Sequence, residues 1–388
     1  MLNQEEIQFI QDHLKEDVTT LAFQKSKYPS LDLPKLLFQI QARQKLSNKL
    51  PQWTYNVNLY FPPQISLEQS SSEKTALFKS KLIQGKIIDL TGGMGVDSWA
   101  FAQENNNQVT YVEINEPLTQ ITTFNHQQLE LTNVNHLHAN GMEYIQKGAN
   151  DFDWIYMDPA RRDSIGKKVF LLKDCTPDAT KILPFISKKT GLLIKVSPML
   201  DIQLCINELQ GVDEVHIVCL QNEIKELLFK KTENSTFHPA ISIWDLHNDK
   251  PFIYQQTKEL EQQAEIQTSP LLTYLYEPHA GILKAGFFKS IAQKGLFKIA
   301  ANTHLYTSDI PINNFPGKSF KVIHIGKLDS KWLASHLPDR KANICCRNFP
   351  LKPEEIRKKM SISDGGDYTL FAYRNKNNLA EIAICQKT

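Results

Sequence analysis

The sequence predicts a doubly wound α/β domain with a helical region ahead of it and a basic α/β segment behind it. Three observations carry this expectation. From about Lys86, short apolar runs alternate with amphipathic stretches, the pattern of strands joined by helical crossovers. The stretch Lys86-Ile-Ile-Asp-Leu-Thr-Gly-Gly-Met-Gly-Val-Asp97 ends a buried strand in a glycine-rich turn and opens a helix. After residue 283 there are 18 Lys or Arg against 8 Asp or Glu, while the remainder holds 26 against 34. A net charge of +2 thus hides a basic C-terminal third on an acidic body, a distribution that suits a polyanionic partner or a lysine-rich solvated face.

Residues 1–78 read as mostly helical. Asn3 and Glu6 form a capping-box pair ahead of Ile7, Ile10 and Leu14, and Pro34 suits the first turn of a second helix. Pro51 to Pro63 reads as an ordered connection, and Ser70-Ser-Ser-Glu begins another helix. The α/β domain spans 79–255, with strands expected at Ile87–Leu90, Gln108–Glu113, Val134–His138, Trp154–Met157, Leu192–Val196, Glu214–Leu220 and Lys225–Phe229. Helices are expected between the first five, giving a parallel sheet that ends in a hairpin, with any ligand at the strand carboxyl ends. Residues 256–388 form the basic C-terminal α/β segment, opened by a Gln- and Glu-rich helix over 256–268 and including strands at Lys321–Ile325 and Tyr368–Tyr373.

Composition excludes several classes. With 388 residues, 41% hydrophobic and 22% charged, the chain is long enough for two to three ordinary globular domains. No apolar run approaches the ~20 residues of a membrane span, so no membrane is expected. The polar N-terminus lacks a secretory pattern, and the six cysteines lack C-x-x-C spacing, which predicts a cytoplasmic protein with reduced thiols. The histidines show no H-x-x-x-H pattern, so no metal is expected.

Gly93 and Gly95 allow a backbone approach that any Cβ would obstruct. Glu113 follows Asp89 by 24 residues at the end of the next strand, placed to accept hydrogen bonds from both hydroxyls of a ribose. This arrangement fits either NAD or S-adenosylmethionine. Asp89 favours the latter, because a carboxylate there suits a cationic methionine moiety better than a pyrophosphate. The second signature, Asp158-Pro-Ala-Arg-Arg162, closes the fourth strand.

On these residues the chain resembles the class I S-adenosylmethionine-dependent methyltransferases, which implies a Rossmann-like sheet and that cofactor. Asp89, Thr91, Gly93, Gly95 and Asp97 stand in the first motif, with Thr91 in place of its usual first glycine. Glu113 matches the ribose ligand, Asn140 the residue facing the adenine amino group, and Asp158-Pro159 the motif beside the reacting methyl. More narrowly, Glu68-Gln-Ser-Ser-Ser-Glu-Lys-Thr-Ala76, the two signatures above and Glu277-Pro-His-Ala-Gly281 resemble a bacterial group of these enzymes with a C-terminal THUMP-like domain. That resemblance makes Gln69, Ser70 and Thr75 candidates for covering the methionine end, although a serine-rich N-cap explains the serines nearly as well.

Methyl transfer from a sulfonium requires in-line positioning and, for some acceptors, proton removal. Asp158, Pro159 and Arg161 are the catalytic candidates, Asp158 to orient or deprotonate an N–H acceptor. Enzymes acting on exocyclic base amines resemble D-P-P-Y, whereas Ala160 and Arg161 stand in the last two places here. The guanidinium groups of Arg161 and Arg162 can stack on a base or pair with phosphate, or serve structurally beside Asp153 or Asp163. Asp-Pro-Ala-Arg also resembles RNA 5-methyluridine enzymes, but Lys195-Val-Ser-Pro-Met offers no cysteine nucleophile, so that chemistry is rejected. Ser197 is a candidate for the acceptor pocket. The THUMP-like resemblance implies structured RNA as partner, with Arg357, Lys358 and Lys359 as phosphate contacts. The expected activity is methylation of a base nitrogen in RNA. A protein or small-molecule acceptor, or a non-catalytic RNA-binding protein on the same fold, are the alternatives.

Overall fold

The computed structural model describes residues 1–62, 64–148, 151–160, 171–233 and 238–388. The chain packs into two units, Met1–Val215 with Glu226–Phe237, and His216–Lys225 with His238–Thr388. None of the helices among the described residues is long and apolar enough to cross a membrane.

In the first unit, local chemistry starts the N-terminal helices as the sequence predicts. Asn3 Oδ1 accepts from Glu6 N–H while Glu6 Oε2 accepts from Asn3 N–H, closing the capping box of helix Gln4–His13. Helix Leu33–Leu46 begins with Asp32 as cap and Pro34 in its first turn. It buries Arg43, whose guanidinium donates to the carbonyls of Val57 and Leu59 at 3.0 and 2.5 Å, and Gln39, which exchanges two bonds with the Phe61 backbone. These side chains replace a sheet ladder and order the connection after Pro51, which also holds a short helix, Pro51–Tyr55.

The strands are β1 (Lys86–Asp89), β2 (Gln108–Glu113), β3 (Val134–His138), β4 (Trp154–Met157), β5 (Gly191–Val196), β6 (Glu214–Leu220) and β7 (Glu223–Lys231). In the first unit they run in the order β3-β2-β1-β4-β5-β7, parallel from β3 to β5 and antiparallel where β7 joins. The order turns back at β1, so a crevice opens beyond the carboxyl ends of β1, β2 and β4. One expectation is corrected: among the described residues no α-helix lies between β4 and β5. Short 3-10 turns at Leu172–Asp174 and Ala179–Phe185 stand there instead, in a stretch interrupted by Pro177 and Pro184, which cannot continue an α-helix.

The second unit contains β8 (Ala240–Asp245) and β9 (Phe252–Gln256), in the order β6-β8-β9, and then a seven-stranded sheet. Its members are β10 (Tyr274–Pro278), β11 (Phe297–Ala300), β12 (Thr303–Ser308), β13 (Gly317–Gly326), β14 (Asn343–Arg347), β15 (Tyr368–Arg374) and β16 (Ala380–Lys387), ordered β11-β12-β10-β13-β16-β15-β14. Helices Ser330–His336 and Pro353–Met360 cover one face through Leu333, Leu337, Ile356 and Met360. Leu275, Ile299, Leu305 and Phe371 fill the other. The expected solvated helix after residue 256 is Lys258–Gln263.

Candidate active site

Parallel pairing sets Asp89 beside Tyr111 on β2 and Tyr156 on β4, and the glycine turn crosses the sheet edge from there. Gly95 has φ +83° and leads into helix Val96–Ala102; a Cβ on it would lie 2.4 Å from Thr122 Cγ2 and 2.6 Å from His126 Nε2. His126 donates from Nε2 to Gly95 O at 3.0 Å, so its Nδ1 accepts from His136 at 2.8 Å. Burial and the neighbouring His136 push His126 down to about 3, so it stays neutral beneath the turn. Gly93, at φ +52°, is different. A Cβ there would meet only Thr91 O, at 3.7 Å, because its Cα faces open space.

That space is a cavity of about 510 Å³, within the ~300–1,000 Å³ range of small-molecule sites. Asp89, Thr91, Gly93, Gly95, Asp97 and Glu113 line it, as do Asn140, Asp158, Gln69 and Ser70. Glu113 Oε2 accepts from Gly93 N–H and Oε1 from Asn115 N–H, both at 2.8 Å, which fixes the carboxylate and leaves each oxygen a further lone pair. Asn140 caps helix Gly141–Ile145: its Oδ1 accepts from Met142 and Glu143 N–H, and its Nδ2 donates to Glu143. Its carbonyl is therefore engaged in the cap rather than held ready for another donor.

Below the cavity lies a set of buried charges. Asp89 is 1% exposed and accepts from Ser98 Oγ and Thr91 N–H. Burial pushes its carboxyl up to about 7, with repulsion from Asp97 and Asp158 added, against the relief of those two bonds. Lys79 is fully buried and holds Glu226 at 2.7 and 3.0 Å, Asp97 Oδ1 at 3.2 Å and Ser71 Oγ at 3.1 Å. Asp97 Oδ2 also accepts from Ser71 and from Tyr156 at 2.6 Å. Burial disfavours its charge, but Lys79, Lys195 and these bonds outweigh it, so Asp97 lies below the usual carboxylate range. Asp158 N–H donates to Thr91 Oγ1 at 2.6 Å, and its Oδ2 accepts from Lys195 Nζ. Lys195 is disfavoured by burial, yet the carboxylates of Asp158, Asp97 and Glu226 raise it above its ordinary value.

The structure thus brings most of the predicted cofactor residues together. It does not bring Thr75 to the cavity: Thr75 is 2% exposed and completes the N-cap of helix Glu73–Ser80 with Ser72. Pro159 is buried, and Ser197, which accepts from Met199 N–H, is not in the lining either. Arg161 and Arg162 fall outside the described residues. Arg357, Lys358 and Lys359 lie on helix Pro353–Met360 of the second unit, Arg357 paired with Asp364 at 2.7 Å. Sequence reasoning missed Ser71, Lys79, Lys195, Glu226 and His126. Lys195 left a signal, as the one charge in the apolar strand Gly191-Leu-Leu-Ile-Lys-Val196.

Fold and site define a class I methyltransferase architecture. A solved structure from Porphyromonas gingivalis W83, described as a "putative methyltransferase", is 33% identical over 100% of both chains with a TM-score of 0.86. Residues 274–316 match a ferredoxin-like domain model and 317–387 a THUMP domain-like model. The chain belongs to this family, the class I S-adenosylmethionine-dependent methyltransferases with a C-terminal THUMP-like domain. Partial overlaps are also found with an S-adenosylmethionine-dependent methyltransferase from Agrobacterium tumefaciens (17% identity, 48% of this chain and 57% of that one, TM-score 0.30). An rRNA methylase from Streptococcus thermophilus overlaps similarly (13%, 41% and 93%, TM-score 0.29). No curated protein matches the chain.

Proposed function

We propose that this chain binds S-adenosylmethionine and transfers its methyl group to a nitrogen of a base in structured RNA. The observation that carries the cofactor is the pair Gly93 and Glu113: an open Cα on a left-handed turn, beside a carboxylate fixed by two backbone N–H groups with lone pairs to spare. Glu113 would hold the ribose hydroxyls, and the carboxylates of Asp89, Asp97 and Asp158 would face the cationic methionine portion. When bound, the cofactor supplies an electrophilic methyl on sulfur. Asp158, anchored through its own N–H to Thr91, would orient an N–H acceptor and receive its hydrogen bond.

RNA as acceptor is supported by the THUMP domain-like match over 317–387 and by the basic balance of the C-terminal third. A second reading, an aliphatic or protein amine as acceptor, is favoured by one observation. The lining residues among those described include no aromatic ring on which a base could stack.

Calorimetric titration with S-adenosylmethionine tests the cofactor, with NAD as control and Glu113→Ala as probe. Saturable binding by the wild type, a loss of about 1–3 kcal/mol in the variant, and silence with NAD are expected. Transfer of labelled methyl into total RNA but not into protein then supports the acceptor; the reverse selects the second reading.

A further inference from the structure

We propose that Lys195 is a positioning residue of this site: bound to Asp158, it holds that carboxylate as a fixed anion at the cavity wall. The inference rests on the cofactor reading above and assigns a part to a residue outside the family motifs described.

The register makes the pair. Parallel pairing of β4 with β5 runs from Trp154↔Gly191 to Met157↔Ile194, so the next step sets Asp158 beside Lys195. Antiparallel pairing sets Lys195 opposite Leu228, and Glu226 lies two residues along β7 on the same face. The Lys195 side chain is 11% exposed, and a buried ammonium is costly unless closely paired. The two lysines divide the carboxylates between them. Lys79 holds Glu226 and Asp97, and among the described residues Lys195 alone bonds the Asp158 side chain.

Asp158 lines the cavity and Lys195 does not, so Lys195 acts through its partner. The charged and titratable groups around the Asp158–Lys195 pair are Lys79, Asp97, Asp89 and Glu226, the Tyr156 hydroxyl, and Lys49, which burial and the nearby Lys195 push down to about 8 and which every variant below keeps. Burial pushes Asp158 up, and Lys195 opposes that push most strongly. Without Lys195, a half-buried carboxyl among three others takes up a proton below neutral pH, and the wall loses its anion.

The sign of the expected result is diagnostic. Simple charge counting predicts that removing a cation tightens binding of a cationic cofactor; the proposal predicts weaker binding below neutral pH. S-adenosylmethionine is titrated into wild type, Lys195→Met and Lys195→Arg between about pH 6 and pH 9, with folding checked by thermal melting. Lys195→Met is expected to bind about tenfold more weakly near pH 6, with the deficit relative to wild type closing toward pH 9 as Asp158 ionises. Lys195→Arg is expected to follow the wild type. A deficit constant across pH indicates a packing role only, and tighter binding at every pH indicates simple repulsion; either overturns the proposal. If Lys195→Met does not fold, Asp158→Asn decides: about tenfold weaker binding at all pH values supports the proposal, and unchanged binding overturns it. A wild type silent toward S-adenosylmethionine overturns the cofactor reading itself, and this inference with it.

Discussion

Two clusters of buried carboxylates, one in each unit, are built from the same groups and end in opposite states. Each borders a cavity, of about 510 Å³ in the first unit and 440 Å³ in the second. In the second unit Asp245 spends both oxygens: Oδ1 accepts from Gln221 and His247 N–H, and Oδ2 from Asn222 N–H and His279 Nε2. His279 is used up as well, since its Nδ1 accepts from Gly281 N–H. Glu277 takes Arg347 at 2.6 Å and the Cys345 thiol at 3.0 Å. The Glu277-Pro-His-Ala-Gly281 signature is thereby explained as packing: Gly281 leaves room for Ile243, and Asp245 clamps His279 to β8. In the first unit two ammonium groups bond three carboxylates, Lys79 holding Asp97 and Glu226 and Lys195 holding Asp158, while Asp89 beside them accepts only from Ser98 Oγ and Thr91 N–H. Burial disfavours Asp245, yet its bonds hold it below the usual range, whereas Asp89 rises to about 7. A carboxylate whose lone pairs are all spent fixes the chain; a surplus of carboxylates over cations at a cavity wall is a place for a positive ligand.

The largest expected effect breaks the first cluster. Lys79→Met removes the ammonium that bonds Glu226 and Asp97 and leaves both carboxylates with no bonded cation, Lys195 acting on them only through space. A loss of about 3–5 kcal/mol in unfolding free energy is expected by urea titration. A loss under ~1 kcal/mol would mean that the carboxylates there carry protons and that the contrast between the clusters is not one of charge.

Asp245→Ala tests the second cluster and should act on the fold alone. Four hydrogen-bond donors lose their acceptor, so about 2–4 kcal/mol of stability is expected to go. The affinity for S-adenosylmethionine is expected to stay within about twofold of wild type. A larger loss of affinity would make this cluster part of the ligand machinery.

The same contrast sets what could be read from sequence. Elements with local causes were legible: the capping box at Asn3, and β2, β3 and β4 with their observed bounds. The antiparallel pair β8 and β9 was not, because both strands are short and the connection between them, Leu246-His-Asn-Asp-Lys-Pro251, carries no Asn-Gly or Asp-Gly turn signal. At the site, Gly93, Gly95, Glu113 and Asp158 stood in contiguous motifs at a glycine turn and two strand ends, and the structure brings all four to one cavity. Lys79, Lys195 and Glu226 come together only through helix packing and strand register, with Lys79 and Glu226 147 positions apart in the chain. Thr75 and Ser197, chosen by neighbourhood in sequence, do not line that cavity, and each hydroxyl bonds within a local turn.

The smallest expected effect sharpens the comparison through pH. Asp89 has an ordinary value of 3.8 and is pushed up to about 7 in the folded protein. Between those values the folded chain holds a proton that the unfolded chain does not. The stability this contributes is full below 3.8 and is lost as pH rises through about 7. Relative to Asp89→Asn, which cannot titrate, the wild type is therefore expected to lose about 1 kcal/mol between pH 6 and pH 7. Urea titrations at both pH values read this difference directly. Ligand affinity should move the opposite way: the ionised form attracts a cation, so S-adenosylmethionine is expected to bind the wild type a few-fold more tightly at pH 8 than at pH 6, with the trend reduced in Asp89→Asn. Stability falling while affinity rises over one pH window is the signature of a carboxyl kept from its charge by the fold and returned to it by a ligand. Parallel trends would place Asp89 with Asp245, among the groups that only hold the chain.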